Sequence, residues 1–184
     1  MNNEPNYNYF PSLETDRLKL ESLAIEDTAF IFRLLTDPIV IQYTMDIPPE
    51  NYDQARDLIE YYLSPEGSAE NRWGILHKED GRLIGTCGFH KWNRQHMRAE
   101  IGCDLDPDYW GHGYMTEALS TAIRNGFERM KLNRIEAIVY VNNAPSIRLL
   151  ERLGFQKEGT LRKYHFLNDT FHDQYLFSLL QDEA

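Results

Sequence analysis

Apolar and polar residues alternate along this chain with two different periods. A period of two with one apolar face is typical of a half-buried strand, whereas apolar residues three and four positions apart are typical of an amphipathic helix. The pattern predicts strands at 17–23, 72–78, 82–92, 98–105, 134–140, 160–167 and 172–180. It predicts helices at 26–36, 51–63, 113–130 and 144–153.

Short local signals place the ends of these elements. Asp80 and Gly81 give a strong hairpin signal between the second and third strands. Proline at 38 ends the first helix, and Gly154 ends the last one. The strand at 98–105 has two different faces. One face carries Ala99, Ile101, Cys103 and Leu105, and the other carries Glu100, Gly102 and Asp104.

The order of the elements indicates the fold class. Three strands in a meander are followed by helix, strand, helix and two strands, which implies an α+β fold with a mixed, mostly antiparallel sheet flanked by helices. The chain of 184 residues has no internal repeat and no linker, so we expect one domain at 12–184. The polar residues 1–11 are expected to form a flexible tail.

Composition narrows the possible partners. The net charge of −10 argues against nucleic acid and permits a cationic substrate, although solubility alone also explains it. No apolar run is long enough to span a membrane, and the N-terminus lacks the pattern of a secretory signal. Two thiols, Cys87 and Cys103, fit a cytoplasmic protein better than a disulfide between neighbouring strands. No Cys or His pair has metal-ligand spacing, so no metal is expected.

The turn between the strand at 98–105 and the long helix is a candidate anion site. Gly111 and Gly113 let backbone approach an anion closely, and a helix N-terminus offers unpaired N–H groups and a positive dipole end. A plain tight turn is the alternative. A dinucleotide-binding fold fits less well, because the loop lacks a third glycine and follows an antiparallel meander instead of parallel strands. A nucleotide-triphosphate loop fits less well, because the loop lacks the sequence Gly-Lys-Ser/Thr.

Four segments together resemble one family. Residues 106–118 read Asp-Pro-Asp-Tyr-Trp-Gly-His-Gly-Tyr-Met-Thr-Glu-Ala, and they resemble the acetyl-CoA loop of the GNAT superfamily (GCN5-related N-acetyltransferases). Segments 14–18, 99–102 and 143–155 also resemble the family, most closely its RimJ/RimL-type ribosomal-protein N-terminal acetyltransferases. Trp110 and Met115 depart from the general loop pattern, and Leu150 replaces a tyrosine that often serves as the acid.

The resemblance implies acetyl-CoA as the cosubstrate, with its pyrophosphate on the loop and its pantetheine beside one strand end. Asn143 would contact the pantetheine and Ser146 the departing sulfur; the alternative is that both residues only cap a helix. The expected cofactor-binding residues are Cys103, Asp104, Leu105, Gly111, His112, Gly113, Tyr114, Met115, Thr116, Asn143 and Ser146.

The expected catalytic residues are Ser146 and two candidates for the base, Glu100 and His165. Glu100 matches a carboxylate that many family members use, but an ion pair with Arg98 or Arg134 also explains it. His165 stands where the branch often has glutamate, and an unperturbed imidazole titrates near neutrality. An exposed strand histidine without a catalytic role is its alternative.

The expected reaction is acetyl transfer to a primary amine by direct attack in a ternary complex. The N-terminal α-amine of a protein, such as a ribosomal protein, is the leading acceptor. A polyamine, amino sugar or drug is the alternative, and an acyl-CoA-binding module without turnover is the alternative of another class. Seven acids and one arginine between residues 46 and 70 favour a cationic acceptor, unless they form only a solvated helix face. Monomer and homodimer both stay open.

Overall fold

The computed structural model describes residues 8–44, 47–63 and 70–183. The strands in these residues are β1 (Leu13–Glu14), β2 (Leu18–Ser22), β3 (Trp73–His77), β4 (Leu83–Asn93), β5 (Arg98–Leu105), β6 (Arg134–Tyr140), β7 (Gln156–Leu167) and β8 (Thr170–Leu180). The α-helices are α1 (Thr28–Thr36), α2 (Pro38–Ile41), α3 (Tyr52–Leu63), α4 (Tyr114–Glu128) and α5 (Ala144–Arg152). Among the described helices, none is long and apolar enough to cross a membrane.

All eight strands form one sheet in the order β1-β2-β3-β4-β5-β6-β8-β7. β5 and β6 are parallel, and the other neighbouring strands are antiparallel. The sheet is therefore mixed and mostly antiparallel, with helices against it. This arrangement confirms the predicted fold class.

The predicted elements are present, with differences at some ends. β7 begins at Gln156 rather than at 160, because its first residues pair with β8 although they carry no apolar alternation. Asp37 ends α1 as expected, yet it also starts α2, since its side chain accepts hydrogen bonds from the N–H groups of Ile39 and Val40. Helix α2 and the two-residue strand β1 are too short to give a periodic signal.

The main core lies between α4 and one face of the sheet. Side chains of α4 such as Ala118, Leu119 and Ala122 are almost fully buried against sheet residues. Gly126 permits this contact, because a Cβ there would lie 2.8 Å from Cζ of Phe89. A smaller cluster joins α1 and α3 near the start of β4.

The predicted tail, residues 1–11, lies partly outside the described residues. Its described end contacts the core. The ring of Tyr9 meets the ring of Trp92 edge-on at a centroid distance of 5.0 Å. The indole N–H of Trp73 donates to the carbonyl of Pro11 at 3.0 Å. Residues 8–11 therefore belong to the packed structure.

Candidate active site

The parallel strands β5 and β6 separate after a short paired stretch. Their ladder runs from the pair Arg98–Arg134 to the pair Glu100–Glu136 and then ends. Beyond it, β5 continues beside β4, and β6 continues beside β8. An opening therefore forms between the C-terminal halves of the two strands. We call the face of the sheet opposite α4 the polar face; Glu100, Asp104 and Glu136 lie on it.

The glycine loop leads from β5 into α4 and presents a row of backbone donors. Gly111 and Gly113 both have φ of +80°, a left-handed conformation that other residues adopt only with strain. The indole N–H of Trp110 donates to the carbonyl of Leu105 at 2.8 Å and closes the turn. In the described part of the chain, the N–H groups of residues 111–116 have no hydrogen-bond partner. A Cβ on Gly111 would meet no atom within 4 Å, so the loop has room for an anion.

Arg17 holds this loop from the side of β2. Its guanidinium contacts Glu117, in the first turn of α4, with an Nε–Oε2 distance of 2.7 Å. It also donates to the carbonyl of His112 at 3.1 Å and lies 4.4 Å from the ring centre of Tyr114. Burial raises the pKa of Glu117, but hydrogen bonds from Thr15 and Arg17 outweigh it, so the pKa is lowered and the carboxylate stays charged. These contacts explain structurally why segment 14–18 accompanies the loop.

A second set of side chains supports the loop from β3. The hydroxyl of Tyr114 lies 3.1 Å from Nε2 of His77, whose Nδ1 lies 3.0 Å from Oδ1 of Asp80. His112 stacks on Tyr114 at a centroid distance of 5.7 Å. The side chains of Tyr114 and His112 therefore fix the loop, while their backbone N–H groups stay available.

Asn143 and Ser146 lie at the start of α5, next to the end of β6. Asn143 is buried and caps the helix, because its Oδ1 accepts the N–H of Ser146 at 3.1 Å. Capping is thus observed for Asn143. The Ser146 hydroxyl has no hydrogen bond to any described residue, and this side chain is half-buried.

The strand end at 103–105 forms the other wall of the opening. Cys103 lies directly opposite Cys87 on β4, and both are free thiols. Burial raises the pKa of the Cys103 thiol to about 12, so it is protonated at neutral pH. The carboxylate of Asp104 pairs with Arg72 on the polar face. Leu105 and Met115 pack at the edge of the main core.

Glu100 is the last β5 residue paired with β6, and it is in an ion pair. Its partners are Lys91, with Nζ 3.0 Å from Oε1, and His90, with Nε2 3.3 Å from Oε2. From the sequence, Arg98 or Arg134 was the expected ion-pair partner of Glu100. Both of these arginines contact Glu136, so they are not the partners of Glu100. Lys91 reaches Glu100 because a bulge in β4, where Lys91 has φ of +52°, turns it toward the polar face.

His165 lies on β7 and is bonded to Tyr140, the last residue of β6. The distance from the Tyr140 hydroxyl to Nδ1 of His165 is 2.6 Å. The ring of His172 also meets Tyr140, edge-on at 5.5 Å. His165 is half-buried and has a defined partner, in contrast to an isolated strand histidine.

The acidic segment is only partly described, since residues 45–46 and 64–69 lie outside the described residues. In α3, Ala55 and Ile59 are buried, and Asp53 and Asp57 face outward. Glu60 pairs with Arg56 within the helix. Within the described ranges, no group of three or more metal-ligating side chains occurs.

Sequence reasoning did not single out Arg17, Lys91, His90 or Tyr140. Arg17 contacts the glycine loop and α4 about a hundred positions away, and Lys91 and His90 reach Glu100 across neighbouring strands, so no local pattern encodes these contacts. Tyr140 did carry a readable signal. It is the last residue of a predicted central strand, three residues before Asn143.

The sheet opening lies beside a loop whose N–H groups have no partner among the described residues, an arrangement that fits an enzyme with a phosphate-bearing cosubstrate. Comparison with known proteins agrees with this class. A family model described as an acetyltransferase (GNAT) domain matches residues 17–156. The chain therefore belongs to the GNAT acetyltransferase family, and it is an acetyl-CoA-dependent N-acetyltransferase.

Individual relatives cover nearly the whole chain. An uncharacterized N-acetyltransferase, p20 of Bacillus licheniformis, is 44% identical over 94% of this chain and 97% of its own length. A GNAT-family acetyltransferase structure from Bacillus anthracis has a TM-score of 0.83 and 26% identity, covering 94% of this chain and 99% of that one. A spermidine N-acetyltransferase from Vibrio cholerae, solved with CoA and spermine, has a TM-score of 0.82 and 26% identity over 92% of this chain and 98% of that one.

Proposed function

We propose that this enzyme acetylates the α-amine at the N-terminus of a peptide or protein, such as a ribosomal protein. The ion pairing of Glu100 is the observation that carries this choice. The residues that resemble the acetyl-CoA site would bind the acetyl donor. The ion pairing of Glu100 narrows the kinds of amine that can serve as the acceptor.

Glu100 is a weak base in this environment. Burial raises the pKa of its carboxyl, but hydrogen bonds from His90 and Lys91 and their charges outweigh burial, so the pKa is lowered. A carboxylate with a lowered pKa removes a proton from an ammonium group poorly. The second candidate base, His165, is bonded to the hydroxyl of Tyr140.

A weak base such as Glu100 fits an acceptor that loses its proton easily. An α-amine has an ordinary pKa of about 7.7–8.0, whereas a lysine-like alkyl amine has one of about 10.4. The difference of roughly 2.5 units corresponds to about 3.5 kcal/mol in forming the neutral, nucleophilic amine. An α-amine therefore reacts here with less help from the enzyme.

The donor side uses the backbone of the loop and the start of α5. The N–H groups of residues 111–116 hold the pyrophosphate of acetyl-CoA, and the strand end at 103–105 with Asn143 borders the pantetheine. Ser146 donates a hydrogen bond to the departing sulfur. The unpartnered N–H row and the unbonded Ser146 hydroxyl support these roles.

A polyamine is the second candidate acceptor. The similarity to the spermidine N-acetyltransferase of Vibrio cholerae favours it. In the described residues, Asp53 and Asp57 on α3 have no ion-pair partner, so they are able to attract a cation. The carboxylates on the polar face favour it less, because Glu100, Asp104 and Glu136 are each neutralised by a cation.

A thiol-release assay with acetyl-CoA tests the proposal. The panel contains a short peptide with a free N-terminus, the same peptide with a blocked N-terminus and one lysine, and spermidine. We expect kcat/KM to be at least about tenfold higher for the free α-amine than for the other two, because of their higher amine pKa. Turnover of spermidine above that of every peptide would reject the α-amine in favour of the polyamine. In that case Asp53→Asn with Asp57→Asn should lower kcat/KM for spermidine alone.

A further inference from the structure

We infer that Tyr140 and His165 form a proton relay from the acceptor amine to the departing sulfur. The two residues belong to strands far apart in the sequence, and their side chains meet beside the opening between β5 and β6. The inference rests on amine acetylation and on the proposed role of His165 as base. It does not depend on which amine is the acceptor.

Strand register places Tyr140 on the polar face. β6 and β8 pair without a register shift from Arg134 to Tyr140, so side chains alternate regularly along β6. Ala137 and Val139 belong to the main core beside α4, which puts Tyr140 on the same face as Glu136 and Glu100. The Tyr140 side chain is therefore on the polar face, which also carries His165.

The backbone of Tyr140 is tied to the start of α5. Its carbonyl accepts the N–H of Asn143 at 3.0 Å, and Asn143 in turn caps the N–H of Ser146. Tyr140 and Ser146 therefore lie at the same end of the opening, where the sulfur of the thioester is expected. Leu150 occupies the place of the family's usual tyrosine acid and is buried in the core, so it supplies no proton.

A buried amide beside Tyr140 marks this spot as polar. Gln174 lies directly opposite Tyr140 on β8, its exposure is 0%, and neither its amide nitrogen nor its oxygen has a partner among the described residues. A buried polar group without a partner costs about 1–3 kcal/mol. Packing alone would favour an apolar residue here. The buried amide of Gln174 and the short Tyr140–His165 hydrogen bond of 2.6 Å point to a site used for chemistry.

The relay moves one proton in three linked transfers. His165 holds its own proton on Nδ1, directed at the Tyr140 oxygen, and Tyr140 directs its hydroxyl proton at the sulfur. The amine nitrogen forms a bond to the carbonyl carbon, and the carbon–sulfur bond breaks. Nε2 of His165 takes the proton that the amine loses, Nδ1 passes its proton to Tyr140, and Tyr140 gives its proton to the thiolate. The products are the amide and the free thiol, with both side chains as neutral as before.

Removing the Tyr140 hydroxyl is the first test. Tyr140→Phe should lower kcat about 10²-fold, as expected for loss of a positioned acid, with KM for acetyl-CoA within about threefold of wild type. The lost hydrogen bond should lower Tm by roughly 2–4 °C. Tyr175→Phe is the matched control, because it removes a hydroxyl on β8 from the opposite face and should leave kcat unchanged.

The coupling of the two residues is the second test. His165→Gln should lower kcat by a similar factor, and the double variant should be no slower than the slower single variant, because both act in one chain of transfers. Fluorinated tyrosine at position 140 keeps the shape and acidifies the phenol. It should shift the descending limb of the kcat–pH profile to lower pH, since the phenol must stay protonated to act.

Four outcomes would overturn the relay. They are full kcat in Tyr140→Phe, a loss that appears only as a raised KM or a collapsed Tm, multiplicative losses in the double variant, and an unshifted descending limb with fluorinated tyrosine. These measurements use whichever acceptor is turned over fastest. Failure of the relay is therefore distinguishable from failure of the α-amine proposal, which rests on the acceptor panel.

Discussion

At the scale of single residues, Glu100, Asp104 and Glu136 on the polar face each pair with a lysine or an arginine. Glu100 contacts Lys91 and His90, and Glu136 contacts Arg98 and Arg134. Both glutamates are the same type of residue, and they face each other in the last pair before the strands separate. Their partners differ, since two arginines hold Glu136 whereas Lys91 and His90 contact Glu100, and the family resemblance makes Glu100 the functional candidate.

This distinction gives a test of Glu100. Glu100→Gln should lower kcat/KM for the acceptor roughly 10- to 100-fold, because a charge-assisted interaction worth about 1.5–3 kcal/mol is lost. KM for acetyl-CoA should stay unchanged, because the proposed donor site is the backbone of the glycine loop and does not include Glu100. Steady-state kinetics with each substrate varied in turn measures both values. Glu136→Gln is the control and should lower stability but not turnover; equal kinetic losses in both variants would remove Glu100 from the site.

At the scale of elements, the start of α4 is the best-defined part of the site. Two left-handed glycines turn the backbone, Arg17 and Tyr114 fix it, and the first N–H groups of the helix have no partner in the described ranges. The sequence indicated the glycines and the helix. It did not indicate that Thr15 and Arg17, about a hundred residues away, hold Glu117 of the same helix.

Gly113→Asp should abolish cosubstrate binding. A side chain at φ of +80° is strained, and a carboxylate repels the pyrophosphate. Acetyl-CoA at 100 times its Kd should stabilise the wild type by about 2.7 kcal/mol, raising Tm by roughly 5–10 °C. Thermal unfolding with and without acetyl-CoA measures this shift. Gly81→Ala introduces similar strain at φ of +68° in the β3–β4 hairpin and should keep the full shift. A shift retained in Gly113→Asp would refute the loop assignment.

At the scale of the whole molecule, several glutamates link stability to pH. The hydrogen bonds from Arg134 and then Ser178 lower the pKa of Glu158 from 4.5 to about 2, and Glu100 and Glu117 also have lowered pKa values. A lowered folded-state pKa means that the unfolded state binds protons first as pH falls. This stabilisation is complete above the ordinary pKa and is lost as pH falls through the folded one.

The free energy of unfolding should therefore decrease between pH 4.5 and about 2. Glu158→Gln should flatten part of this decrease, because the variant has no carboxylate to protonate there. Denaturant titrations of wild type and variant across this range measure the effect. The two curves should approach each other at the acid end; a constant gap at every pH would show that Glu158 contributes by packing rather than by charge.

The sequence by itself determined the elements, the order that makes a mixed sheet, the glycine loop and the capped start of α5. These features depend on periodicity, on backbone conformations that few residues adopt, and on contacts within a few positions of the chain. The opening between β5 and β6 was foreseen only by family resemblance, since no local pattern shows where a parallel ladder stops.

The tertiary structure alone decided which side chains meet in the site. The partners of Glu100 depend on a bulge in β4, and the bond between Tyr140 and His165 depends on β8 and β7 returning beside β6. Such contacts change neither the strand propensity of the residues involved nor the apolar–polar alternation along either strand. These contacts form only once the whole sheet brings the strands together. The assembled sheet pairs Glu100 with cationic side chains and brings Tyr140 and His165 together as a candidate proton relay.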